Sequence, residues 1–107
     1  MWPFFLEWER RAVRPTTMAK RIAPYLRYYS SHRPTDDHGS RPVVLVVFED
    51  EIAQTHFLRV ARDEMARTGV SVPLRVSHRS LLERVGPLGR AWRTTDRPEP
   101  GYAFQKH

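Results

Sequence analysis

The sequence contains no cysteine, which excludes a disulfide framework and any zinc site built on thiolates. It has five glycines and no G-x-x-x-x-G-K-[ST], G-x-G-x-x-G, H-E-x-x-H or G-x-S-x-G motif. Nucleotide hydrolysis, dinucleotide binding, zinc proteolysis and α/β-hydrolase chemistry therefore lose their usual signatures. Long apolar runs are missing at the N-terminus. The stretch from Trp2 to Leu6 is far too short for a signal-peptide core or a membrane span, and no basic region precedes it. The chain reads as cytoplasmic, with no membrane partner. Lysine is scarce too: of 18 basic residues sixteen are arginine, against 12 acidic residues and a net charge of +6. The planar arginine fork suits oxyanions, so this excess hints at a nucleic-acid partner, although codon bias produces the same composition.

What is present fits one small domain. A chain of 107 residues leaves no room for two independent cores, and 40% hydrophobic residues are too many for wholesale disorder. Along Phe4 to Glu9, strand alternation puts Phe5, Glu7 and Glu9 on one face and Phe4, Leu6 and Trp8 on the other. Both carboxylates then point the same way. They can hold a divalent cation such as Mg²⁺, which usually takes one or two protein carboxylates. The simpler reading is a solvated pair of acids loosely matched by Arg10, Arg11 or Arg14.

Met18, Ile22, Tyr25, Leu26 and Tyr29 then fall at helical spacing behind a Pro15-Thr16-Thr17 turn and cap. Pro24 implies a kink or a helix that begins near Ala23. Lys20, Arg21 and Arg27 lie on its polar side. Residues Ser30 to Arg41 read as a surface loop, in which Asp36, Asp37 and His38 resemble a metal cluster only by adjacency. The β-branched run Pro42 to Phe48, apolar on both faces, reads as the core strand, parallel and covered on both sides by helices.

Glu49, Asp50 and Glu51 open a second helix at the positive end of its dipole. Ala53, Phe57, Val60, Ala61 and Met65 form its apolar stripe, with His56 near the edge, and Gly69 ends it. Val70 to Val76 reads as a third strand, half-buried at most, whose Pro73 favours a sheet edge. Ser80 and Glu83 have capping-box spacing for a short helix ended by Gly86-Pro87, and Trp92 is expected to pack back on the sheet.

The order of elements predicts an α/β fold with a small three-stranded, mostly parallel sheet and flanking helices. Residues 1–93 form the single expected domain and 94–107 a flexible tail. Because Met1 stands directly before the first strand, the domain is expected to be shortened on its N-terminal side. Ligands of such sheets sit beyond the carboxyl ends of the strands, where Glu7, Glu9, Glu49, Asp50, Ser77 and His78 are expected to approach one another.

Four pieces of sequence, Phe4-Phe5-Leu6-Glu7-Trp8-Glu9-Arg10, Arg21-Ile22 with Tyr25-Leu26-Arg27-Tyr28-Tyr29, Pro42 to Val47, and Gly86-Pro87-Leu88-Gly89 with Trp92-Arg93, occur in this order. Together they resemble the C-terminal half of the replication-relaxation proteins of plasmids and actinobacterial mobile elements, over about residues 3 to 95. The resemblance implies a partial restriction-endonuclease-like core, in which Glu7 matches a metal-binding carboxylate. Glu9 stands where a nuclease carries lysine, and the upstream aspartate strand and the winged helix of the family have no counterpart here.

The function expected on these grounds is that of a non-catalytic DNA-associated or interaction fragment of a plasmid replication or mobilisation protein. Its contact set is Arg10, Arg11, Lys20, Arg21 and Arg27, and a protein partner or a homo-oligomer is compatible with it. The first alternative is a metal-dependent nuclease using Glu7, Glu9 and Glu49, with Mg²⁺ as cofactor. The second is a structural remnant of a truncated gene.

Overall fold

A computed structural model describes residues 4–9, 15–30, 42–97 and 99–104. The sheet has three parallel strands in the order β1 (Phe4–Glu9), β2 (Val43–Phe48), β3 (Leu74–His78). Helix α1 (Pro15–Tyr29) joins the first two strands in sequence, α2 (Glu51–Thr68) the second and third, and α3 (Arg79–Val85) follows directly on β3. The α/β architecture and the central place of β2 are as the residue pattern predicts. All six residues of β2 are buried, because each face meets a separate apolar cluster.

One face of the sheet carries both long helices. Val44, Val46 and Phe48 pack there with Met18, Ile22, Leu26 and Tyr29 of α1, with Phe57 and Ala61 of α2, and with Leu74 and Val76. Pro24 sits on the exposed side of α1, so the helix runs on to Tyr29 without its missing N–H facing the core. The Tyr29 hydroxyl donates to the carbonyl of Pro42, tying the end of α1 to the start of β2.

The opposite face is covered by less regular structure. Val43, Leu45 and Val47 meet Ala91, Trp92 and Ala103, with Leu81 and Leu82 of α3 beside them. Trp92 packs back on the sheet, 3% exposed, and its Nε1 donates to the carbonyl of Pro87 at 2.8 Å. Towards β1 this face is open. Phe4, Leu6 and Trp8 are half-exposed and, with Leu88 and Phe104, border an apolar groove of about 440 Å³.

Three local expectations are corrected. The third strand is Leu74–His78, and all five of its residues are buried rather than half-buried at most. It lies at the sheet edge as Pro73 suggests, but Arg93 forms an antiparallel bridge to Val76 along that edge, and α2 and Ala103 cover the two faces. Ser80 is not the cap of α3. The helix starts at Arg79 with His78 at the N-cap, and Glu83 accepts from Arg79 Nε at 2.8 Å instead of closing a capping box. Finally, part of the expected flexible tail is packed. Trp92 and Gly101 exchange backbone hydrogen bonds at 3.0 and 2.7 Å, and Ala103 is 2% exposed.

Candidate functional site

The alternation of β1 places its side chains as the sequence predicts. Phe5, Glu7 and Glu9 face α1, where Phe5 packs tilted against Tyr25 and edge-on to Tyr28, while Phe4, Leu6 and Trp8 face outward. Glu9 is 8% exposed. A carboxylate this buried needs a cation or several hydrogen bonds to offset its lost hydration. Arg21 supplies the cation: its Nη2 is in direct contact with Glu9 Oε2, and its Nη1 lies 4.0 Å from Glu7 Oε2.

One turn further along α1, Tyr25 completes the cluster. Burial pushes its phenol far above the ordinary tyrosine range, and the negative charge of Glu7 and a hydrogen bond to that carboxylate add to the effect. The raised pKa keeps the Tyr25 phenol protonated beside Glu7. Residues at i and i+4 on the helix thus answer residues at i and i+2 on the strand. The two acids are brought together, and a guanidinium stands in the position that a shared cation would otherwise take.

The other strand-end residues do not join them. Glu9, Phe48 and His78 are register partners across the sheet, so the Phe48 ring, which stacks on Phe57, stands between Glu9 and His78 at two strand spacings, roughly 10 Å. His78 turns to α2, its Nδ1 2.6 Å from Oε1 of the fully buried Gln54. Burial lowers the pKa of His78; the charges of Glu51 and Asp50 oppose that effect and those of Arg84 and Arg93 reinforce it. The lowered pKa favours the neutral ring, and in the tautomer that carries its proton on Nδ1 that N–H donates to the amide oxygen.

Asp50 is occupied with α2: its Oδ1 accepts from the Ala53 N–H at 2.7 Å as an N-cap. Glu49 has Arg79 Nη1 at 3.9 Å. Ser77 lies on the other side of β3 and is fully buried. No group of three or more His, Asp or Glu side chains suited to a metal ion occurs among the described residues. Asp36, Asp37 and His38 lie outside the described residues.

Of the expected DNA-contact set, Arg10 and Arg11 lie outside the described residues. Lys20 and Arg27 are exposed on α1, and Arg21 is committed to Glu7 and Glu9. Gln54, the arginines of α2 and Arg97 have no expected role in the sequence, and Arg93 enters there only beside Trp92 in the family resemblance. In hindsight Arg59 and Arg62, one turn apart, and Arg93 and Arg97 around two threonines were the available signals. Among the described residues no helix is long and apolar enough to cross a membrane. Comparison of the chain with protein-family models, curated proteins and solved structures finds no match.

Proposed function

We propose that this chain is a non-catalytic, DNA-associated module, a fragment of replication-relaxation type, held on DNA mainly by charge. The observation that carries the reading is the clamp of Arg21 on Glu7 and Glu9. It turns the strand-end carboxylates into an internal counter-charge, while Lys20 and Arg27 stay in water on the same helix. A nuclease reading asks these two acids to hold a metal ion and a neighbouring cationic or basic group to prepare the attacking water. By the family resemblance, Glu9 falls where a nuclease carries lysine. Arg21 stabilises charge but does not act as a general base, because a guanidinium stays protonated near neutral pH.

The net charge of +6 favours association with a polyanion. Fluorescence polarisation with a short labelled duplex tests the reading. Binding should weaken steeply with salt, each neutralised phosphate adding about −0.9 to the log–log slope, and should be alike for unrelated sequences. Absence of binding at low salt overturns it.

A further inference from the structure

Four arginines outside the expected DNA-contact set meet in one place. Thr55, Arg59 and Arg62 lie at i, i+4 and i+7 on α2 and form a single stripe along that helix. Facing them is the segment that leaves the Val76–Arg93 bridge, so Arg93, Thr94, Thr95, Asp96 and Arg97 form the opposite wall. Between the walls is a cleft of about 440 Å³.

Four guanidinium groups line this cleft against one carboxylate. Asp96 is itself engaged: its Oδ1 accepts from Thr94 at 2.6 Å, and its charge acts on Arg75. Arg62 has only the adjacent Asp63 at 4.0 Å, and both are well exposed, a geometry that contributes little. Arg59, Arg93 and Arg97 have no salt bridge among the described residues, and Arg93 Nε is buried with no hydrogen-bond partner. A second, smaller cleft of about 130 Å³ adjoins the first through Thr94 and Arg97; it adds Arg90, the buried Arg75, whose Nε donates to the Ala103 carbonyl, and the carboxylate of Glu99. The cationic surface continues into it through Arg90.

Arg59, Arg62 and Arg97 are exposed, so water screens their mutual repulsion, and an oxyanion among them gains several forked donors at once. Forked guanidinium donors flanked by threonine hydroxyls have the chemistry that phosphate oxygens take, and neither wall presents the large apolar surface that a hydrophobic ligand needs. We propose that this cleft is a phosphate-binding site, and that its phosphates are backbone phosphodiesters of DNA. The choice of DNA rests on the DNA-association reading above. The cationic character of the cleft does not.

The test compares two double variants that remove the same charge: Arg59→Ala with Arg62→Ala in the cleft, and Lys20→Ala with Arg27→Ala on α1. All four side chains are exposed, so both variants should fold, as circular dichroism checks. In polarisation with a short duplex, the cleft variant should bind about tenfold or more weakly and the α1 variant only a few-fold more weakly. Equal losses in the two variants overturn the cleft while leaving DNA association intact. A second arm follows the melting temperature with inorganic pyrophosphate, which should stabilise the wild type and not the cleft variant. Pyrophosphate stabilisation without any duplex binding overturns the assignment to DNA and makes a free phosphate compound the ligand. No cleft-dependent response to either probe overturns the site altogether.

Discussion

Arg21 of the first helix clamps the buried carboxylate of Glu9 on the neighbouring strand and reaches towards Glu7 with its second nitrogen. This contact holds an edge strand to the helix that follows it, and it decides how the acidic strand end is read. Its strength is limited by exposure of the guanidinium, whose side chain is 42% exposed.

Arg21→Ala should therefore destabilise the fold by about 1–2 kcal/mol, below the loss for a fully buried pair, because water screens part of the interaction. Arg27→Ala, an exposed arginine on the same helix, should change stability by less than about 0.5 kcal/mol. Urea unfolding of the two variants checks the contrast. Equal midpoints would mean that Glu9 does not depend on Arg21.

The pairing of His78 with Gln54 predicts a pH dependence. Burial depresses the pKa of His78 in the folded chain, so between that value and the unfolded value of about 6.5 the unfolded chain binds more protons. The contribution of neutral His78 is complete above about pH 6.5 and is lost as pH falls through the window below it. Urea midpoints measured from about pH 7 to pH 5 should fall more steeply for the wild type than for His78→Asn. Parallel slopes would show that His78 does not titrate on unfolding.

The sequence showed much of this architecture, for physical reasons that differ from element to element. Val43 to Val47 read as the central strand because a β-branched run apolar on both faces has few other uses. The split between Phe5, Glu7, Glu9 and Phe4, Leu6, Trp8 follows from the two-residue strand period and holds in the fold. Gly69 ends α2 as expected, and the acidic run Glu49-Asp50-Glu51 marks its start, where Asp50 proves to be the N-cap, since capping is local chemistry.

What escaped was non-local. The partner of Glu9 looked like a neighbouring arginine, Arg10, Arg11 or Arg14, whereas Arg21 reaches it only once α1 is packed on β1. Gln54 stands at i−3 from Phe57 and i−7 from Ala61, on the buried side of α2, but its polar side chain gave no sign of its partner His78, 24 residues away. Gly101 and Ala103 carry no strong apolar signal. Their order comes from backbone pairing with Trp92 and from the 2.8 Å bond between Arg75 Nε and the Ala103 carbonyl.

That pairing makes a prediction for the C-terminal segment. In native-state hydrogen exchange the amides of Trp92 and Gly101, each bonded to the other's carbonyl, should be protected well above those of exposed loop residues. Removing residues 99–107 should cost at least about 2 kcal/mol, because Trp92 loses its cover and Arg75 its buried acceptor. Free exchange at both amides would mean that the segment is not part of the fold.

The most direct measurement is a single gel in which supercoiled plasmid is incubated at low salt with the chain and excess Mg²⁺. The account predicts plasmid that is retarded by the protein and, after the protein is stripped away, is still supercoiled. Metal-dependent nicking that disappears in Glu7→Ala would contradict the non-catalytic reading, and plasmid that runs unshifted would contradict the association with DNA.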